Sequence, residues 1–393
     1  MRFQHAALPL PLLWSSPFVR WQGSLADVPS LDLAAAVTGD ALTARQFDRS
    51  AIGRIVLGMT IPQAHSFYGA PWLAARLGLA DVSGPLVAQA CATSVACLVA
   101  AAAEVEADAD ALPLVVTTDR TSNGPLLVYP RSAAMGGSPA TEHWVLDNFA
   151  ADPWTSESML ATAEAVAGEG GFSREALDET TLLRYRQYER ALEDDRAFQR
   201  AVLQPVVLDR GRARLVVERD EGIHATTAEG LRKLKPVREG GIVTYGTQTH
   251  PADGTAGAFV VDAASAKTGD GVVRLLAVGF ARAGKARMPK AAATAAQRAM
   301  HDAGLSFADV KVVTTHNPFA VNDLWFARET GFPLERMNPY GCSLVYGHPQ
   351  GPTGLRAIAE LVEALRRDGG GIGLFTGCAA GDTGAALVVR VDL

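Results

Sequence analysis

Cys91 lies three positions before a long alanine-rich stretch, SVACLVAAAAEVEAD, whose composition predicts a helix. The partial positive charge at a helix N-terminus stabilises a thiolate and lowers the pKa of a thiol placed there. The backbone N–H groups of a first helical turn lack intrahelical partners and can bind an oxyanion. Cys91 is therefore a candidate nucleophile, with a buried structural cysteine as the alternative.

Three other residues occupy comparable places in the chain. His316 follows the apolar run VKVVT, His348 lies between glycine and proline in YGHPQGPTG, and Cys378 lies in the small-residue turn GCAAGDTG. Glycines near His348 allow the backbone to approach a ligand closely, and prolines fix the position of the imidazole. Taken singly, each of these residues is also compatible with a purely structural role.

The elements that must position these residues alternate between short apolar runs and helical stretches. Candidate strands are RIVLGM, LPLVVTT, GAFVVDA, VRLLAVGF, VKVVTT and GIGLFTG, and candidate helices include TAAQRAMHDAG and GLRAIAELVEALRRDGG. This alternation predicts an α/β architecture with largely buried strands.

The same order of elements occurs twice. Val56 precedes Cys91 by 35 positions, and Val312 precedes His348 by 36 positions. The next strand follows with similar spacing, 23 positions from Cys91 to Leu114 and 26 from His348 to Leu374 in the second half. A repeat of layout predicts two similar halves, with Cys91 and His348 at corresponding helix entrances facing one cleft.

A more polar region separates the halves, and we interpret it as an inserted loop domain over the cleft. It contains YPRSAAMGGSPATEHW, DPWTSESM and the charged stretch SREALDETTLLRYRQYERALEDD. The predicted organisation is an N-terminal half at 1–120, a loop domain at 121–238, a return strand of the N-terminal half at 239–262, and a C-terminal half at 263–393.

Composition narrows the class of protein. The chain has 393 residues, a formal charge of −6 and no lysine- or arginine-rich block, so we expect no nucleic-acid partner. The four cysteines lack the spacing of a zinc site and are too few for a disulfide framework, so we expect no metal. No convincing signal peptide or membrane-spanning run is evident, which predicts a cytoplasmic protein without membrane association.

Several motifs, taken in order, resemble those of the thiolase family. CATS resembles its nucleophile motif, NPYGCSLVYGHPQGPTGLR its Asn-Gly-Gly…Gly-His-Pro-x-Gly stretch, GCAAGDTGAA its Cys-x-Gly-Gly-Gly loop, and HNPFA its Asn-Glu-Ala-Phe-Ala loop. Further similarity in GSLADVP, TAEAVA, SREALDE and GIVTYGTQTHPADGTAGAFVV extends it over nearly the whole chain. The resemblance implies the thiolase fold, in which two similar halves form a five-layered αβαβα core with an inserted loop domain.

The resemblance also implies roles for the four residues. Cys91 would carry an acyl group as a thioester, and His348 would activate Cys91 and donate to the thioester oxygen of the second acyl-CoA. Cys378 would exchange a proton with the α-carbon of acetyl-CoA, and the backbone N–H groups of Cys91 and Ala380 would hold the oxyanion. The implied co-substrate is coenzyme A, with no bound cofactor.

The chain departs from the family pattern at several positions. His316 stands where most of the family has an asparagine, and a histidine at this place resembles the sterol-carrier-type thiolases. We expect His316 to hold a water or the thioester oxygen of acetyl-CoA. Ala380 and Asp382 replace glycines, and Cys342 replaces another. His224 stands where an arginine is common and Thr249 where a serine meets pantetheine, so these two are the candidate coenzyme A contacts.

The resemblance predicts an acyltransferase that cleaves a 3-oxoacyl-CoA with coenzyme A, in β-oxidation-like degradation, or runs the reverse Claisen condensation. A biosynthetic condensing enzyme is the alternative, although Cys378 argues against a ketosynthase. A catalytically weak subunit is disfavoured by Cys91, His348 and Cys378 together. We expect a homodimer or homotetramer, or a heteromer with a small zinc-ribbon/OB-fold protein.

Overall fold

The computed structural model describes residues 1–133, 135–211, 213–266 and 271–393. The strands in these residues are β1 (Ala6–Pro9), β2 (Leu13–Ser15), β3 (Val19–Arg20), β4 (Arg54–Gly58), β5 (Leu86–Val87), β6 (Pro113–Arg120), β7 (Leu126–Tyr129), β8 (Ala140–His143), β9 (Val206–Arg210), β10 (Ala213–Val217), β11 (Ala252–Phe259), β12 (Val261–Asp262), β13 (Val272–Arg282), β14 (Val310–His316), β15 (Gly371–Ala379) and β16 (Thr383–Asp392). The α-helices are α1 (Ser30–Ala44), α2 (Ala70–Arg76), α3 (Thr93–Ala107), α4 (Leu146–Ala150), α5 (Met159–Gly170), α6 (Arg174–Ala191), α7 (Glu193–Val202), α8 (Ala228–Lys233), α9 (Ala291–Ala303), α10 (Ala320–Thr330), α11 (Ser343–Tyr346) and α12 (Thr353–Arg367).

Two mixed sheets repeat one arrangement of strands. The first has the order β2-β11-β6-β4-β5, with β3 also pairing with β11, and the second has the order β12-β1-β13-β16-β15-β14. In the first sheet β4 runs parallel to β6, which is antiparallel to β11. In the second, β14 runs parallel to β15, which is antiparallel to β16. The repeat of layout in the sequence is therefore a repeat of sheet topology.

The sheets and helices form five layers. Helices α1 and α2 pack on the outer face of the first sheet, and α9 packs on the second. Helices α3 and α12 contact each other and the strands of both sheets, so they form the central layer. The predicted α/β fold with two similar halves in an αβαβα core is confirmed by this arrangement.

The central helices owe their position to composition. Helix α3 consists of small and apolar residues with few charges, and a helix that is apolar on most sides is stable only when buried. Helix α12 has thirteen buried residues, Thr353 to Leu365, before it ends at two exposed arginines. Two glycines follow with positive φ angles, at Gly369 and Gly370, and they end the helix as the sequence indicates.

The polar region between the halves folds into small elements around the cleft. Hairpin β7–β8 and helix α4 lead to α5, whose first residues reach the pocket described below. Helix α6 packs against α10 and α11, and hairpin β9–β10 packs on α1 through β9. Ala134, in the YPRSAAMGG segment, lies outside the described residues.

Two details differ from the layout predicted from the sequence. The short strand β5 stands between β4 and Cys91, so the strand nearest to Cys91 is β5 rather than the IVLG run. Strand β1 pairs with β13 in the second sheet, although it lies within the segment assigned to the first half. The division at residues 120, 238 and 262 stays a prediction.

One stretch of the chain approaches the length and composition of a membrane span. Ala90–Ala107, which includes α3, spans 18 residues with a mean hydropathy of 1.5. Half of this stretch is buried inside the protein, where α3 packs against α12 and both sheets. The same composition that would suit a membrane therefore serves the central layer of the fold.

The contact between α3 and α12 has no room for an added methyl group at Gly354. A Cβ atom there would lie 2.8 Å from the Cβ of Ser94, whereas a Cβ at Gly168 of α5 would have nothing within 4 Å. We expect Gly354→Ala to lower the free energy of unfolding by about 1–3 kcal/mol, because the core must shift to accept it. Gly168→Ala should leave it unchanged or raise it by up to about 1 kcal/mol. Denaturant titration of the two variants measures the difference, and equal stabilities would contradict this packing.

Candidate active site

The four candidate residues line one pocket between the halves. This central pocket has a volume of about 280 Å³. Its lining residues are Cys91, Phe149, Ser158, Met159, Leu160, Gln248, Thr249, Pro251, Met288, His316, Pro318, Phe319, His348, Gln350, Cys378 and Ala380. Residues from both halves and from the polar region between them therefore share a single cavity.

Cys91 is placed by a sharp turn before α3. Ala90 has a φ of 45°, a left-handed conformation uncommon for a residue with a side chain. Such strained positions persist only where the surrounding structure holds them, and they concentrate at functional sites. The turn directs the sulfur of Cys91 towards the second half.

His348 lies in the loop that connects α11 with α12. Its Nε2 atom is 3.1 Å from the Sγ of Cys91, and its Nδ1 is 2.7 Å from the hydroxyl of Thr353. The backbone N–H of His348 donates to the carbonyl of His250 at 2.9 Å, which ties the loop to the start of β11. In the tautomer protonated at Nδ1, the ring donates to Thr353 and Nε2 is free to accept the thiol proton.

Burial keeps this cysteine–histidine pair uncharged. It raises the pKa of Cys91 to about 12, while the backbone N–H groups of Ala380 and Cys91 itself lower it in part. Burial and then the neighbouring His316 hold the pKa of His348 well below its usual range. The prediction that the helix N-terminus lowers the pKa of Cys91 is therefore wrong in net direction, because desolvation outweighs the backbone donors.

His316 ends β14 and stacks on His348. The two imidazole rings have centroids 3.9 Å apart and planes inclined by 24°. The Nδ1 of His316 is 3.0 Å from the hydroxyl of Ser343, and burial lowers the pKa of His316 to about 3. Its buried Nε2 has no hydrogen-bond partner among the described residues, so it is free to meet a ligand.

A buried polar network fixes the loop after His316. Asn317 donates from its amide to Asp323 at 2.6 Å and to the sulfur of Cys342 at 3.2 Å. Asp323 also accepts from Arg184 at 2.8 Å and is almost completely buried with it. Cys342, which replaces a family glycine, thereby serves as an acceptor in this network.

Cys378 lies near the end of β15, and its thiol is buried in the same pocket. The side-chain amide of Asn322 donates to its sulfur at 3.2 Å. Burial raises the pKa of Cys378, the proximity of Cys91 raises it further, and the Asn322 hydrogen bond lowers it. The thiol is therefore protonated at neutral pH and able to give up a proton to a ligand.

The loop after Cys378 accommodates its two departures from the glycine pattern. Ala380 does not adopt a positive φ, so its methyl group causes no backbone strain and its N–H can point at Cys91. Asp382 has a φ of 58° and accepts hydrogen bonds from the N–H groups of Ala286 and Arg287, both at 2.8 Å. An aspartate tolerates this conformation better than most residues and holds a neighbouring loop in place.

The ligand atoms of Cys91, His316 and His348 lie within 4.8 Å of one another. A metal would require the lone pairs of both imidazoles to converge, but nearly parallel stacked rings direct them side by side. The donor set therefore does not favour a metal without reorientation of a histidine. The expected absence of a metal stays a prediction.

The two candidate coenzyme A contacts differ in position. Thr249 lines the central pocket; its hydroxyl donates to the carbonyl of Ser343, and its N–H donates to the carbonyl of Pro318 at 2.7 Å. His224 is exposed and does not line the pocket.

Sequence reasoning missed Asp119, at the end of β6 in the string TTDR. This buried carboxylate accepts from the N–H groups of Thr60, Ile61 and Gly351 at 2.8–2.9 Å, and from the hydroxyl of Thr60. Burial raises the pKa of Asp119 to about 7, and these hydrogen bonds counteract part of the rise. Because Gly351 follows the His348 loop, Asp119 connects that loop to the first half.

Both halves match thiolase family models, the thiolase N-terminal domain over residues 14–264 and the thiolase C-terminal domain over residues 272–391. The chain belongs to the thiolase family. The recognition made from the motifs, and with it the class of acyltransferase, is confirmed.

The names of similar proteins support this family assignment. The chain is 29% identical to acetyl-CoA acetyltransferase of Escherichia coli (strain K12) over 94% of its own length and 95% of that protein. It is 28% identical to 3-ketoacyl-CoA thiolase of Pseudoalteromonas translucida over 95% and 94%. Human mitochondrial 3-ketoacyl-CoA thiolase superposes with a TM-score of 0.91 at 23% identity over 99% of both chains, which establishes the shared thiolase fold.

Substitution of Asp119 tests whether this carboxylate anchors the His348 loop. In Asp119→Asn one carboxylate oxygen becomes an NH₂ group, which cannot accept from the buried N–H donors. We expect a loss of about 1–3 kcal/mol in the free energy of unfolding, since a buried donor is left unpaired. The exposed Asp110→Asn should change stability by less than about 0.5 kcal/mol. Equal denaturation midpoints for the two variants would exclude this anchoring role.

Proposed function

We propose that this thiolase cleaves a 3-oxoacyl-CoA with coenzyme A through an acyl-enzyme on Cys91. The observation that carries the proposal is the 3.1 Å contact between His348 Nε2 and Cys91 Sγ, inside a pocket that also holds Cys378. A nucleophile, a base and a second acid are the groups that this reaction requires.

The first step transfers the thiol proton of Cys91 to Nε2 of His348. The thiolate attacks the C3 carbonyl of the substrate, and the negative charge moves to the carbonyl oxygen. The backbone N–H groups of Cys91 and Ala380, which already face the sulfur, are placed to stabilise that oxyanion. Cys91 and His348 are both neutral until the substrate arrives, because burial disfavours their charged forms.

Collapse of the oxyanion then breaks the C2–C3 bond. The shortened acyl group remains on Cys91 as a thioester, and the electron pair of the broken bond forms the enolate of acetyl-CoA. Cys378 gives its proton to C2 and becomes a thiolate. Acetyl-CoA leaves, and its place is free for coenzyme A.

Coenzyme A completes the cycle by the same proton path in reverse. Its thiol gives a proton to the Cys378 thiolate, and its sulfur attacks the thioester carbonyl. Cys91 departs as a thiolate and recovers its proton from the protonated His348. The condensation of two acyl-CoA molecules is the reverse of these steps. The free energy of the reaction and the concentrations of the acyl-CoAs and coenzyme A determine whether cleavage or condensation occurs.

His316 is proposed to stabilise the enolate oxygen together with protonated His348. For this, the Ser343 hydroxyl, which can also donate to Oδ1 of Asn317 at 3.2 Å, directs its proton to Nδ1 of His316 instead. The Nε2–H of His316, which has no partner among the described residues, then donates to the enolate oxygen. The stacking of the rings at 3.9 Å keeps both donors on one side of the pocket. Burial fixes His316 as a neutral donor, since its pKa is lowered to about 3.

Coenzyme A is proposed to enter beside Thr249. Thr249, Gln248 and Met159 line the central pocket, with Met159 at the start of α5. One solved relative, human mitochondrial 3-ketoacyl-CoA thiolase, is described in complex with CoA. His224 lies outside the pocket, so any contact from it would involve a more distant part of coenzyme A.

We also propose a homodimer, with the exposed edge of β5 as the interface. β5 is the last strand of its sheet, and Leu86 within it is 46% exposed. The nearby Phe67 and Tyr68 are 92% and 69% exposed. Exposed strand edges with apolar side chains are usually covered by a partner. Exposed Leu126, Val128 and Met135 of the β7–β8 hairpin are candidates for joining dimers into a tetramer.

The chemistry favours a reducing compartment such as the cytoplasm. All four cysteines are free thiols, and catalysis would fail if Cys91 or Cys378 were oxidised. A small zinc-ribbon/OB-fold partner stays a prediction that a copurification experiment would test.

The histidine roles predict different losses for two variants. His348→Ala should abolish both acylation of Cys91 and thiolysis, because the base is gone. His316→Ala should still form the acyl-enzyme from a simple acyl-CoA, while steady-state thiolysis falls about a hundredfold through the loss of an oxyanion donor. Mass spectrometry of the Cys91 peptide and a thiolysis assay over a panel of 3-oxoacyl-CoAs measure the two steps. Near-normal thiolysis in His316→Ala would show that His316 is structural.

The interface assignment is tested by light scattering at micromolar concentration. We expect a dimer or tetramer for the wild type and a shift towards monomer for Leu86→Lys, because a charge on the covered edge opposes pairing. Leu192, 41% exposed at the end of α6, offers a matched control, and Leu192→Lys should leave the assembly unchanged. A monomeric wild type would contradict the proposed interface.

A further inference from the structure

Gln350 is a buried polar residue that the mechanism does not use. It lies two residues after His348, has a φ of 67° and is only 6% exposed. Its Oε1 is 3.2 Å from the Sγ of Cys91, so the carboxamide is held against the nucleophile. A left-handed backbone at a glutamine is uncommon, which indicates that the loop is shaped to place this side chain.

The amide nitrogen of Gln350 has no hydrogen-bond acceptor among the described residues. Unlike Nε2 of His316, this nitrogen is not completely buried, so a ligand in a pocket that Gln350 lines can accept its hydrogen bond. Gln350 lines the central pocket and also a second cavity of about 310 Å³. Phe149 and Ala380 line both as well, so the two spaces adjoin beside Cys91.

The second cavity is lined by Thr60, Ile61, Ala88, Ala90, Glu142, Trp144, Val145, Asn148, Phe149, Gln350 and Ala380. Its wall carries hydrogen-bond acceptors. Glu142 accepts from Asn148 at 2.7 Å and from the hydroxyl of Tyr129 at 3.1 Å, and it forms no ion pair among the described residues. The side-chain NH₂ of Asn148 donates to Glu142 and to the carbonyl of Trp144. The side-chain oxygen of Asn148 can therefore accept a hydrogen bond from a ligand.

We propose that the second cavity receives the acyl group carried on Cys91 and that Gln350 selects acyl groups with a hydroxyl near the thioester. This inference rests on the proposed function. A hydroxyl can accept from the Gln350 amide and donate to Asn148 or Glu142, and so satisfies both kinds of free group. Because the Gln350 carboxamide touches Sγ, its nitrogen can reach a polar group only on the first few carbons of the chain.

Other acyl groups fit this lining less well. A saturated chain would bury the Gln350 N–H without an acceptor, and sites built around a hydroxyl discriminate strongly against analogues that lack it. A carboxylate would face the negative charge of Glu142. The corresponding substrate class is a 3-oxoacyl-CoA with a hydroxyl at C5, which is cleaved to acetyl-CoA and a 3-hydroxyacyl-CoA.

A comparison of the rates at which different acyl-CoAs acylate Cys91 tests the proposal. The wild-type protein is mixed with butyryl-CoA or with each enantiomer of 3-hydroxybutyryl-CoA, and the rate at which the Cys91 peptide gains the acyl mass is measured. We expect one hydroxylated enantiomer to react at least about tenfold faster than butyryl-CoA, the preference expected for one matched polar contact. Gln350→Leu should remove most of this preference. The readout is the ratio of rates, since Gln350 contacts Cys91 and its loss also affects the absolute rates.

Two further variants serve as an independent test and as a control. Asn148→Leu, a substitution outside the His348 loop, should also lower the ratio, and it serves if Gln350→Leu does not fold. Asp147→Asn, at an exposed neighbour of Asn148, should keep the wild-type ratio.

Equal or faster acylation by butyryl-CoA in the wild type overturns the inference while leaving the proposed function intact. A wild-type ratio in both Gln350→Leu and Asn148→Leu also overturns it. Absence of any acyl group on Cys91 from all three thioesters overturns the inference and the proposed function together.

Discussion

The contact between the Cys91 thiol and the His348 imidazole is the constraint on which the rest of the structure depends. The two groups come from different halves of the chain, and their atoms must meet within 3.1 Å. The central layer makes this possible, because α3 and α12 begin side by side with a glycine, Gly354, at their closest approach. The duplicated sheets then hold each helix from its outer side.

Burial gives that contact its chemical character. Desolvation raises the pKa of Cys91 to about 12 and depresses the pKa of His348, so the resting pair is a thiol and a neutral imidazole. A thiolate in this pocket is favoured only when an oxyanion and its backbone donors share the charge. The nucleophile is thereby protected until a carbonyl occupies the site. The stacked His316, also neutral, adds a donor without adding charge.

Much of this arrangement could be predicted from the sequence, and the reason lies in local patterns. The repeated order of strands and helices predicts the paired halves, and Cys91, His316, His348 and Cys378 are recognisable because each follows a strand or opens a helix. Asp119 and Gln350 could not be found in this way. Asp119 acts on Gly351, a residue of the other half, and Gln350 becomes notable only when its contact with Cys91 and its place between two cavities are known. The net pKa of Cys91 was likewise beyond sequence reasoning, since a helix N-terminus is a local feature and burial is a property of the whole fold.

The central claim, that His348 activates Cys91 to carry the acyl group, is tested most directly by mapping the acyl-enzyme. The protein is mixed with acetoacetyl-CoA without free coenzyme A, quenched in acid and digested, and the cysteine peptides are weighed. The account predicts one acetyl group on the Cys91 peptide, none on the peptides of Cys97, Cys342 and Cys378, and no acetylation in His348→Ala. An acetyl group on Cys378 instead, or undiminished acetylation of Cys91 in His348→Ala, would contradict it.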